Sequence, residues 1–188
     1  MKVSQQIVGV NQRLGNTAVP NMQGTTRMIY DTQTIGTNAT NFTLNYFQGV
    51  SSRTYPFTNL SSNRFEVGES LAIQGFVTYV FENTPAPTLA TALQTLTSLR
   101  AGILNFYIGN QRVVKDLEVI SYARFGIGEA ISETTEGAIF RLETPIVIPP
   151  QVEFYATLNI SSTSSLLANN FGLAAFGTGT LLNTKSTF

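Results

Sequence analysis

The segment VEFYATLNI, residues 152–160, constrains this chain more than any other, because it alternates without a slip. Val152, Phe154, Ala156, Leu158 and Ile160 fall on one face, and Glu153, Tyr155, Thr157 and Asn159 on the other. Successive side chains of a strand point to opposite faces, so this is a strand with one face in a core and the other in water or against a partner. Residues 138–143 repeat the pattern, with Ala138, Phe140 and Leu142 opposite Ile139, Arg141 and Glu143. Between the two runs stand Pro145, Pro149 and Pro150. Proline donates nothing to a ladder, so the chain is expected to leave the sheet there and turn. Strand, proline corner, strand is the grammar of an antiparallel sandwich or barrel.

The same reading extends along the chain. Residues 1–26 show little periodicity and hold Gly9, Gly15, Pro20 and Gly24, which marks an irregular N-terminal arm; residues 27–188 then form a single domain. Strands are expected over 28–35 and 40–47, the second with Phe42, Leu44 and Tyr46 on one face. A polar loop fills 48–63. The longest β pattern is RFEVGESLAIQGFVTYVF, residues 64–81. Leu71, Ile73, Val77, Tyr79 and Phe81 are expected on one of its faces, and Ala72, Phe76 and Val80 on the other. A strand apolar on both sides belongs in the middle of a sheet. Gly75 within it points to a bulge or a close backbone approach.

Helical spacing of Leu89, Leu93 and Leu96, with Thr88 as N-cap and Gly102 at the end, predicts one inserted helix around 88–101. Residues 103–108 and 112–121 form a hairpin across Gly109-Asn110, and a last strand covers 171–184. The sum is all-β: about eight strands in an antiparallel two-sheet β-sandwich of jelly-roll type, with an immunoglobulin-like sandwich as the alternative, though without its Cys and Trp signature.

Composition bears on function chiefly through what is missing. Of the 188 residues none is His and none is Cys, which removes imidazole catalysis, thiolate chemistry, disulfides and the usual zinc ligands. Asp occurs only as Asp31 and Asp116, too sparse for a calcium loop. Carboxylate pairs Glu66 with Glu69 and Glu129 with Glu133 could serve glycoside hydrolysis, but each also suits a solvated loop edge. FGIGE and FGTGT lack the context of a phosphate loop. No catalytic residue, cofactor, metal or small-molecule substrate is expected, and the chain is read as a non-enzyme. The N-terminus lacks the apolar core of a secretory signal, and no run approaches the roughly 18 apolar residues of a membrane span.

Charged residues make up 12% of the chain, about half the usual share, and the formal net charge is zero. Thr, Asn, Ser and Gln carry the polarity instead. Such a surface suits a protein covered by neighbours, although an ordinary β domain with a Thr/Asn surface has the same composition. Residues 1–64 hold five basic side chains against Asp31 alone, a net of +4, so the arm is where a weak contact with nucleic acid or an inner shell is expected.

These features together suggest a family. The irregular arm, about eight strands, the helix inserted between strands and the run Pro145-Ile146-Val147-Ile148-Pro149-Pro150 leading into VEFYATLNI resemble a single jelly-roll capsid protein of an icosahedral virus. Low charge, abundant Thr, Asn and Gln and the absence of Cys resemble bacteriophage virion proteins. The resemblance implies a structural coat or five-fold penton subunit, made in the host cytoplasm and resident in the virion. Its partners would be copies of itself, as a pentamer or other ring, and other capsid proteins. Arg13, Arg27 and Tyr155 are the candidate subunit contacts. The alternative is a carbohydrate- or receptor-binding β-sandwich module of a phage spike or fibre, with Tyr46, Tyr55, Tyr107 and Tyr155 as stacking platforms.

Overall fold

The structure, a computed structural model, describes residues 22–35, 41–82, 101–118, 139–161 and 169–182. Eight strands form two four-stranded antiparallel sheets. They are β1 Met22–Ile35, β2 Asn41–Tyr46, β3 Ser70–Glu82, β4 Ala101–Ile108, β5 Gln111–Glu118, β6 Ile139–Ile148, β7 Phe154–Ser161 and β8 Asn169–Leu182. One sheet runs β1-β8-β3-β6 and the other β2-β7-β4-β5. First strand pairs with last, second with seventh, third with sixth and fourth with fifth. The expected helix, apart from Ala101, which opens β4, lies outside the described residues, as do residues 1–21 of the expected arm. β1 begins at Met22, six residues before the Met28 start that periodicity suggests.

The two inner faces share one core. The first sheet supplies Ile29, Leu71, Ile73, Phe76, Phe171 and Ile148; the second supplies Leu44, Phe106, Phe154, Ala156, Leu158 and Ile160. The alternation of β7 is realised as expected, with Phe154, Ala156, Leu158 and Ile160 all buried. Phe106 lies at the centre, its ring centroid 5.6 Å from Phe76 in the facing sheet and 6.3 Å from both Phe47 and Phe154. Truncating it removes contacts on three sides that a tight interior cannot refill. Phe106→Ala should therefore cost about 3–5 kcal/mol, seen as a midpoint in thermal unfolding lower by roughly 10 °C. A loss within about 1 kcal/mol would mean the two sheets do not close on this ring.

Two expectations are corrected by local geometry. On β3 the pairing with both neighbours slips between Ile73 and Gly75. The extra residue resets the alternation, so Leu71 and Ile73 face inward before the slip and Phe76 faces inward after it. Val77 and Tyr79 consequently face outward, not with Leu71. Gly75 does mark a bulge and a close approach: a Cβ there would lie 2.5 Å from the Phe140 carbonyl oxygen and 2.6 Å from the Phe176 ring.

The second correction concerns Pro145, which does not end its strand; β6 continues to Ile148. β6 is an edge strand, and its ladder with β3 jumps from Ile146 to Arg141 opposite the same bulge. Pro145 falls in the skipped stretch, where no amide is required. The turn proper is at Pro149 and Pro150, and there the chain passes from one sheet to the other. The corner is held by Gln151 N–H on the Phe65 carbonyl and Phe154 N–H on the Asn63 carbonyl, each 3.0 Å.

Candidate functional site

The chain between β2 and β3, residues 47–69, is longer than most connections in a compact domain, and such loops are commonly where function resides. Its order comes from one buried carboxylate. Asp31 points inward from β1 in the same phase as Ile29 and Ile35, and it is fully buried. Phe47 N–H donates to Asp31 Oδ2 at 2.6 Å and Thr32 N–H to Oδ1 at 3.0 Å. Arg53 then closes the site, its Nη2 2.9 Å from Asp31 Oδ2 and 2.7 Å from the Gln48 carbonyl, its Nη1 3.2 Å from the Thr32 carbonyl. Between them the chain turns through Phe47 (φ 64) and Gly49 (φ 59) into a single 3-10 turn, Val50–Ser52. A buried charge needs a partner and further donors, and this one has both.

Burial pushes the Asp31 carboxyl above the usual aspartate value; the Phe47 amide and the Arg53 charge pull it down, but by less. Beside it the Tyr46 hydroxyl, raised well above the ordinary tyrosine value by burial, stays a donor and bonds the Phe171 carbonyl of the facing sheet at 3.1 Å. Tyr46 is therefore a core strut and not an exposed platform.

The loop next lies along β1, which is the outermost strand of its sheet. Thr58 forms an isolated antiparallel bridge to Asp31, and its hydroxyl donates to the Tyr30 carbonyl at 2.9 Å. The Asn59 carboxamide accepts from Tyr30 N–H at 2.9 Å and donates to the Met28 carbonyl at 2.8 Å. Above these anchors is an open cleft of about 590 Å³ lined by Ser51, Arg53, Thr54, Tyr55, Thr58, Asn59, Leu60 and Ser61. Tyr55 stands at it with 83% of its surface exposed.

The outer faces of the two sheets are the other surfaces of note. On the second sheet Tyr155 stacks on Tyr107 of β4, ring centroids 4.5 Å apart and planes within 7°. Around this pair Thr43 donates to Asn159 Oδ1 at 2.7 Å, and Asn105 Oδ1 accepts from Asp116 N–H at 3.0 Å and from Arg112 Nη1 at 3.3 Å, with Arg112 also 3.6 Å from the Asp116 carboxylate. On the first sheet the outward phase carries Met28, Tyr30, Val77, Tyr79 and Phe176 on neighbouring strands, with Met28 52% exposed.

The residues singled out from sequence fall in separate places. Tyr155 lies on the outer face of the second sheet. Arg27 belongs to the first sheet and is engaged within its own chain, 2.9 Å from Glu69 and stacked 4.4 Å over Phe65. Arg13, Glu129 and Glu133 lie outside the described residues. Asp31 with Arg53, and the cleft above them, are the features that periodicity does not reveal. The one hint is an aspartate in the inward phase of a strand. Comparison with protein-family models, with curated proteins and with solved structures finds no match to this chain.

Proposed function

We propose that this chain is a structural subunit of an icosahedral virion, a single jelly-roll coat or penton protein of a bacteriophage that assembles with copies of itself and with other capsid proteins. The observation that carries this is the character of the outward faces. Met28, Tyr30, Val77 and Phe176 share the outward face of one sheet, and Tyr107 with Tyr155 lies on the other, between Thr43 with Asn159 on one side and the Arg112–Asp116 pair on the other. Faces with few charges and with aromatic and Met side chains match the buried centre of protein interfaces. The nested pairing of first strand with last and fourth with fifth supports the jelly roll. Assembly would proceed by complementary patches repeating around symmetry axes, each contact weak and many acting together. The basic arm, with Lys2 and Arg13, would reach a neighbour, nucleic acid or the inner side of the shell. The protein's place would be the virion, and its role structural and not catalytic.

The experiment is sedimentation and electron microscopy of the purified protein. Rings or shells are expected. Met28→Glu, which sets a charge in the outward face of the first sheet, should weaken association by about 100-fold or more while leaving the thermal midpoint nearly unchanged. Tyr155→Ala should act in the same direction through the other face. Wild-type protein that stays monomeric at every concentration, or assemblies indifferent to both changes, would sink the reading.

A further inference from the structure

The cleft on the β2–β3 loop has properties that an assembly face does not require. Among its lining residues, Thr58 and Asn59 are engaged with the backbone of β1. The side-chain hydroxyls of Ser51, Thr54, Tyr55 and Ser61 have no hydrogen-bond partner among the described residues and can still give and accept one bond each or more. Arg53, the one charged lining residue, is held on Asp31 and on the carbonyls of Thr32 and Gln48. The cleft therefore offers no free charge to draw an anion.

What it does offer is an exposed aromatic ring and a set of uncommitted hydroxyls, on a loop fixed from below by a buried ion pair. A ring with one C–H-rich face and hydroxyls around its rim is the chemistry that uses both.

From this we infer that the β2–β3 loop is a binding site for a neutral saccharide, a hexopyranose stacked on Tyr55 with its hydroxyls met by Ser51, Thr54 and Ser61. The inference does not rest on the shell reading: a virion subunit and an isolated module could both carry it. A fixed loop matters here, because a site ordered before binding does not have to be ordered by the ligand.

The probes are methyl glycosides of glucose, galactose and mannose, with N-acetylneuraminate as the charged comparison, followed by saturation-transfer NMR on the full chain. At least one neutral glycoside should bind, with saturation strongest on the C–H face of the ring and a Kd of roughly 1 mM. Tyr55→Ala should weaken it about tenfold or more, and Tyr55→Phe should retain most of the binding. Thr54→Val, which leaves the ring in place, should weaken it by a smaller factor and so covers the case in which Tyr55→Ala disturbs the loop. Absence of binding by all three neutral glycosides would overturn the site. So would preference for N-acetylneuraminate, or binding that is lost with Tyr155→Ala but kept with Tyr55→Ala. None of these outcomes bears on whether the protein assembles.

Discussion

Asp31→Ala should lower the unfolding free energy by about 3–5 kcal/mol, with the thermal midpoint falling by roughly 10–15 °C. The carboxylate is fully buried, and its removal strands the Arg53 guanidinium, the Phe47 N–H and the Thr32 N–H together. Arg53 Nε is already buried without a hydrogen-bond partner among the described residues, so little slack exists to rescue it. Taking away one half of a buried pair costs more than the pair contributes, because the remaining charge keeps its desolvation cost without the opposite charge that offset it, and Arg53 is left with only the Thr32 and Gln48 carbonyls. The double change Asp31→Ala with Arg53→Met should accordingly cost much less than the two single changes added together, a non-additivity that urea unfolding measures directly. Equal and additive losses would mean that the two residues do not hold the loop jointly.

The same carboxylate gives a pH dependence whose sign follows from burial. Its pKa in the folded protein lies above the ordinary 3.8, so the folded state holds the proton more tightly than the unfolded chain does. The contribution to stability is then complete below about pH 3.8 and is lost as pH rises through the folded value. The unfolding free energy of wild type minus that of Asp31→Asn should fall over that window and be flat above it. A difference that grows with pH would show that the donors around Asp31 outweigh its desolvation.

Gly177→Ala is the second large effect, at about 2–4 kcal/mol. Gly177 of β8 lies opposite Ile73, beside the bulge of β3. A Cβ there would run into the Ala72 carbonyl oxygen and stand 3.0 Å from the Gln74 backbone nitrogen. Both are main-chain atoms of the neighbouring strand, so the sheet itself has to move. Gly24→Ala, on the partner strand β1, is the natural comparison, since nothing lies within 4 Å of a Cβ at that position. That change should stay within about 0.5 kcal/mol. If calorimetry finds the two alike, β3 and β8 do not meet as described.

The bulge beside Gly177 also explains how far the sequence alone could be read. Strands β2 and β7 are legible because each has one face in the core, and period two survives from end to end. The β4–β5 hairpin is legible from a two-residue turn. β3 is legible as a strand, and Gly75 as its irregular point, but faces carried through a bulge come out inverted beyond it, which is why Phe76 is core and Val77 is not. Pro145 misleads for a related reason: proline excludes a residue from a ladder, and whether a ladder is present there depends on a neighbouring strand far off in sequence. Asp31 and Arg53 are 22 positions apart, and no local rule joins them. Their pairing follows only once β1 is an edge and the loop after β2 is known to double back over it. The cleft inherits that difficulty, since every residue lining it lies on that returning loop.

The carboxamide of Asn59 has one more consequence. With a single side chain it answers Tyr30 N–H and the Met28 carbonyl as a ninth strand would. A foreign polypeptide trying to template itself along this border would first have to evict it. Crowded copies of the chain are thereby steered away from runaway cross-β polymerisation on this side, and whatever joins them here must be made by side chains and not by a shared backbone ribbon.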